Sequence, residues 1–243
     1  MFDHIAIHAS DRAASEAFYD TVLGGVLGLD KRASERFTLY GGQLVVSPVS
    51  ADHAVTRRLH VGLGAPSREQ VDAFWRAGVD AGYRSDGEPG PRPQYTPDYY
   101  GAFLLDPDGN SIEAVHYDGV NRDGPVDHVW MRVLDVPSAQ AFYATIAPAA
   151  HLRPGEHDAQ YAIFRLEGGG SLSLVAGDPT EGLHVAFRGT RSDVHAFHEA
   201  ATAAGYRDNG APGERPAYHP GYYAAFVLDP DGNNIEVVSH REA

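Results

Sequence analysis

The chain has 243 residues, of which 43% are hydrophobic and 21% charged, with a formal charge of −14 and no cysteine. That length buries a sizeable core, and an acidic balance without any Lys/Arg run argues against nucleic-acid and membrane-surface partners. Without cysteine there are no disulfides, thiolate nucleophiles or Cys-ligated metals. No apolar run reaches the roughly 18 residues of a membrane span. The opening "MFDHIAIHASD" lacks the basic and then apolar layout of a signal peptide, so a cytoplasmic location is expected.

In chain order, His4 to Ala9 alternates as a strand, with Ile5 and Ile7 on one face and His4, Ala6 and His8 on the other. "SDRAASEAFYDTVLGGVLG" carries Ser/Asp cap candidates, an apolar face and terminal glycines, and predicts a helix. Short strands are expected at "RFTLYGG" and "QLVVSPV". The order then recurs: strand "RLHVGLGA", helix "SREQVDAFWRAGVDAG", and strands "YGAFLLD" and "SIEAVHY". Between those last two strands, Asp106-Pro107-Asp108-Gly109-Asn110 is a hairpin turn with Gly where positive φ is needed.

From Val126 the pattern starts again. "VDHVWMRVLD" echoes "FDHIAIHASD", "GLHVAF" echoes "RLHVGL", and "YYAAFVLDPDGNNIEVVSH" nearly copies "YYGAFLLDPDGNSIEAVHY". The chain is therefore a tandem repeat, with residues 1–118 and 126–243 as two domains and the Gly/Asp/Asn-rich stretch 119–125 as linker. Of 13 histidines only two pairs match between the halves, His4 with His128 and His60 with His184. The others have diverged: His8 faces Arg132, and His219 faces Thr96. The third matched element is Glu113 with Glu236, each a carboxylate inside an apolar strand that must meet solvent, a cation or a metal. Two imidazoles and one carboxylate retained together point to a metal site with open positions, suited to Fe²⁺, Mn²⁺, Ni²⁺ or catalytic Zn²⁺. They are too far apart in sequence to form a local motif, so a fold must gather them.

These residues, above all the "DPDGN-x-IE" ending after an F-x-L strand, resemble the vicinal oxygen chelate superfamily of glyoxalases, bleomycin-resistance proteins and extradiol dioxygenases. The resemblance covers nearly the whole chain. It implies an α+β fold of four βαβββ modules forming two cupped mixed sheets, each holding a metal between two His and one Glu. The ligand positions fall on His4, His60 and Glu113, and again on His128, His184 and Glu236. Whether each site forms within one half or exchanges His4 and His128 between halves is open, since both arrangements use the same six residues. The fourth carboxylate of glyoxalase I-like members has no counterpart in "GGQLVVSPV" or "GGSLSLVAG". Three protein ligands leave room for substrate and water or O₂, and with that Fe²⁺ is the favoured ion.

The expected activity is extradiol-dioxygenase-like or lyase/isomerase chemistry on a small oxygen-chelating molecule; the alternative is a metal-free binder of the bleomycin-resistance type. His219 is the candidate acid–base group, because imidazole exchanges protons near neutral pH, with Tyr222 and Tyr99 beside it in the catalytic set. Tyr95, Tyr100, Tyr218 and Tyr223 are candidate substrate contacts, and Arg92 and Arg215 candidate anchors for an anionic group. A duplicated chain mimics a dimer, so a monomer or a homodimer is expected.

Overall fold

The computed structural model describes residues 1–51, 53–121, 123–167 and 169–240. The first module comprises β1 (Phe2–Ala9), α1 (Arg12–Tyr19), a π-helical segment (Asp20–Leu27), β2 (Lys31–Ala33), β3 (Thr38–Tyr40) and β4 (Leu44–Pro48). The second comprises β5 (Leu59–Gly64), α2 (Arg68–Asp80), β6 (Ser85–Pro91), β7 (Tyr100–Leu105) and β8 (Ser111–His116). The third has β9 (Val126–Val133), α3 (Val136–Ala150), β10 (Leu152–His157), β11 (Tyr161–Leu166) and β12 (Ser171–Ala176). The fourth has β13 (His184–Arg188), α4 (Arg191–Ala203), β14 (Asp208–Glu214), β15 (Tyr223–Leu228) and β16 (Asn234–Ser239). Each is a βαβββ unit, as expected from sequence.

The helices begin where side chains can satisfy their first N–H groups. Asp11, Ser67 and Asp135 accept from the backbones of Ala14, Gln70 and Ser138, and Thr190 forms a reciprocal capping box with Asp193. The first helix departs from the uniform α-helix expected: it widens to π geometry at Asp20, around the Gly24–Gly25 pair, and stops at Gly28 in the left-handed region (φ 68°). Strands β6 and β14 carry no alternating pattern. Their "SDGEPGP" and "DNGAPGE" segments pair only along one edge and shift register, which is where Gly and Pro are tolerated in a sheet.

Two eight-stranded sheets result. The first runs β14-β15-β16-β13-β1-β4-β3-β2, and the second β10-β11-β12-β9-β5-β8-β7-β6. The first module thus joins the fourth through antiparallel β1 and β13, and the second joins the third through antiparallel β5 and β9. The two sheets do not coincide with the two halves of the repeat. The helices pair differently: α2 packs on the π-helical segment and α3 on α4, each contact within one half. One continuous apolar cluster, including Ile5, Phe18, Phe74, Val129, Phe142 and Phe197, spans both sheets behind these helices. His4, His60, His128 and His184 lie on the opposite strand faces, away from these helices. No helix among the described residues is long and apolar enough to cross a membrane.

Candidate metal centres

Strand pairing decides which ligands meet. In the first sheet His4 on β1 meets His184 on β13 and Glu236 on β16; in the second His128 on β9 meets His60 on β5 and Glu113 on β8. The grouping of His4 with His60 and Glu113 within one half is therefore not the one formed, nor is that of His128 with His184 and Glu236. β1 lies beside β13, and β5 lies in the other sheet. Each centre draws its first-strand His from one half and its remaining pair from the other.

The second-sheet triad is compact. His60 Nε2 and His128 Nε2 each lie 3.1 Å from Glu113 Oε2 and 3.1 Å from each other. An ion about 2.1 Å from three ligand atoms set at right angles needs edges of about 3.0 Å, so the triangle fits one face of an octahedron. In the first sheet His184 Nε2 lies 2.7 Å from Glu236 Oε2, while His4 Nε2 stands 3.8 Å away. There the rings of His4 and His184 stack with centroids 5.1 Å apart.

The other atoms of these side chains are already engaged. Asp127 holds His128 Nδ1 at 2.8 Å and Asp3 holds His4 Nδ1 at 2.9 Å. Ser111 and Asn234 meet Nδ1 of His60 and His184. Tyr99 donates to Glu113 Oε1 (2.9 Å) and Tyr222 to Glu236 Oε1 (2.6 Å). Every imidazole is thereby turned so that Nε2 faces the centre, and each carboxylate offers Oε2. Burial would raise the Glu113 carboxyl, but hydrogen bonds to His128 and His60 overcome it and hold it low, at about 2. Burial also lowers His128, yet Asp127 and Glu113 on either side push it up to about 9. A buried pocket that holds positive charge on its imidazole by flanking carboxylates is suited to a cation. Gln43, just before β4, donates to Phe2 O and accepts from Val126 N.

A cavity of about 530 Å³ opens over the second-sheet triad and one of about 680 Å³ over the first. Tyr95 and Arg92 line the smaller cavity, and Tyr218, His219 and Tyr222 the larger. His219 is bonded through His240 to Asp3, which reaches His4, so its link to the centre is indirect. Tyr99 and Tyr222, expected in the catalytic set, lie beside the two triads and donate to Glu113 and Glu236. Two expected substrate contacts are corrected: Tyr100 donates to Asp72 of α2 and Tyr223 bonds His195 of α4, both on the helix side of their sheets. Alternation along β7 and β15 sends neighbouring tyrosines to opposite faces. Arg215 stacks on Phe226 but is not part of the cavity lining. Trp130, Arg132, His8 and His53 also line the cavities, and Asp3 and Asp127 hold the first-strand imidazoles, a role signalled in the sequence only by the Asp-His pair repeated in both copies.

Residues 1–114 match the family model of the Glyoxalase/Bleomycin resistance protein/Dioxygenase superfamily. Glyoxalase I from Zea mays is 19% identical, with 98% of this chain and 92% of that chain covered, and has the same fold at a TM-score of 0.68. A glyoxalase/bleomycin resistance protein from Albidiferax ferrireducens T118 is 33% identical over 48% of this chain and 99% of that chain, at a TM-score of 0.44. No curated protein matches the chain. With the matched segment repeated in residues 126–240, the chain belongs to the Glyoxalase/Bleomycin resistance protein/Dioxygenase superfamily.

Proposed function

We propose that the chain is an enzyme that uses a divalent metal in each sheet to act on a small oxygen-chelating molecule by extradiol-dioxygenase-like or lyase/isomerase chemistry. The observation that carries this reading is the convergence of two Nε2 atoms and one Oε2 in each triad while the remaining heteroatoms are tied elsewhere. His60, His128 and Glu113 would hold one ion, and His4, His184 and Glu236 the other; two imidazoles and one carboxylate favour Fe²⁺, with Mn²⁺, Ni²⁺ or Zn²⁺ also accommodated. A bound ion would polarise paired substrate oxygens and stabilise developing negative charge.

The chain's own groups supply the rest. Tyr99 and Tyr222 keep each carboxylate from rotating, and Asp127 and Asp3 fix the proton on Nδ1 of the first-strand imidazole. His219, in the lining of the larger cavity, has Nε2 3.0 Å from His240 Nδ1 and Nδ1 on Pro220 O, so it would serve as the acid–base group only when substrate displaces the carbonyl bond, with the pair of His240 and Asp3 behind it. The test is turnover and O₂ uptake by Fe²⁺- and Mn²⁺-loaded protein over a panel of vicinal diols and α-hydroxycarbonyls, with the Glu113→Ala/Glu236→Ala double variant as control. Activity lost in the double variant supports an enzyme. Tight ligand binding that needs neither metal nor glutamate would instead establish the metal-free binder.

A further inference from the structure

The inner face of β9 carries His128, Trp130 and Arg132 at alternate positions, so one strand presents a metal ligand, a flat ring and a cation in a row. Successive residues on that face are about 6.6 Å apart. Trp130 sits against both ligand imidazoles, 5.4 Å from His60 and 6.1 Å from His128 between ring centroids, and edge-on to Tyr95 at 5.6 Å. Arg132 lines the same cavity further out, and Arg92 lies over Phe103 at its side. Among the described residues neither guanidinium is paired with a carboxylate: Arg92 donates to the carbonyls of Pro91 and Glu88. Arg58, also in the lining, is tied to Glu181 and Pro179 O, and Asp86 is the cavity's one carboxylate besides the ligand Glu113.

The equivalent row on β1 reads His4, Ala6 and His8. Alanine leaves β1 without a ring at the middle position, and the aromatic rings of the larger cavity come from Phe37, Tyr218 and Tyr222 instead. His8 is stacked on His53 (4.6 Å) and bonded to Ser47, and burial first, then the neighbouring imidazoles, pushes it down to about 3, so it is neutral. Around it stand Leu39, Val45, Pro48 and Val49. Arg188 is held by Asp3, whereas Arg36, like Arg92, donates to a backbone carbonyl, that of Ala217.

We infer that the β9 cavity binds an elongated, planar, oxygen-chelating anion whose carboxylate is read by Arg132 across Trp130, a row of ligand, ring and cation that the β1 strand lacks. This rests on the metal reading only for the chelating end. Recognition of the tail depends on Arg132 and Trp130 themselves.

The test is anaerobic quenching of Trp130 fluorescence in a Trp75→Phe background, with 3-(3,4-dihydroxyphenyl)propanoate and the neutral 4-propylcatechol as probes. Metal content is counted on the same samples. The carboxylate probe is expected to bind about tenfold more tightly, the size of one charge-assisted bond at a partly exposed site. Arg132→Met should erase that preference, Arg132→Lys should restore part of it, and Glu236→Ala in the other sheet should leave it intact. Equal binding of the two probes, or a preference that survives Arg132→Met, overturns the inference. Metal bound without the preference defeats the inference alone; the preference without metal defeats the metal reading and leaves the inference standing.

Discussion

In the second sheet the ring of His128 lies over Gly62, its partner across β5 and β9, and a Cβ there would fall 2.1 Å from His128 Cε1. In the first sheet the same place opposite His4 is Ala186, and His4 stands 3.8 Å from Glu236, against 3.1 Å for His128 and Glu113. The pattern recurs under the carboxylates. A Cβ on Gly101 would lie 2.4 Å from Glu113 Oε1, and the equivalent residue on β15 is Ala224. Two candidate centres with the same three residue types on corresponding strands thus differ by two methyl groups in the floor beneath them. Ligand identity alone does not fix a metal site; the space that lets an imidazole lie flat is part of the design.

The largest effect should come from closing that space. Gly62→Ala is predicted to cost the second-sheet centre at least about 100-fold in metal affinity while the first-sheet centre keeps its ion, because an overlap of this size forces the ligand ring away. Calorimetric titration with Mn²⁺ would read it, and an unchanged second-sheet affinity would show that His128 has another place to go. Next come the carboxylate clamps. Tyr99→Phe and Tyr222→Phe should each weaken only their own centre, by about 10- to 100-fold, with folding retained in circular dichroism.

A third difference lies at the far end of the ligand strands, where His8 stands in for Arg132. The His8 imidazole is lowered from its ordinary value of 6.5 to about 3, chiefly by burial. The unfolded chain therefore binds this proton more readily than the folded one, and stability falls as pH drops from 6.5 toward 3, by up to roughly 1.4 kcal/mol per pH unit. Acid unfolding of His8→Gln should be flatter over that window than that of the parent, followed by urea midpoints; parallel curves would count against His8 as the source. The smallest effect is expected from Ala186→Gly, which removes the first-sheet floor methyl and should tighten that centre only about threefold.

Much of this was legible in the chain itself. The Asp-Pro-Asp-Gly-Asn hairpin places Gly109 and Gly232 at φ 86° and 88°, as the turn requires, and the alternation of β1 assigns Ile5 and Ile7 to the core and His4 to the open face. All six residues of the two candidate triads are matched between the halves of the sequence. Their grouping was not legible, because it depends on which strand edges join: β1 with β13 or with β5 is a question of pairing between modules, and the matched sequences of the two halves make the alternatives look alike. Gly62 and Gly101 were equally silent. A glycine in a strand signals a close approach, but only the fold says that the visitor is a ligand imidazole or carboxylate.

The most direct test of crosswise assembly is metal content in two double variants offered Fe²⁺ anaerobically: His4→Ala/Glu236→Ala and His4→Ala/Glu113→Ala. With two triads in the parent, the first variant is predicted to lose both ligands from one centre and retain one ion per chain. The second damages both centres and should retain none. The reverse outcome, one ion kept when His4 and Glu113 are removed together and none when His4 and Glu236 are, would contradict the account.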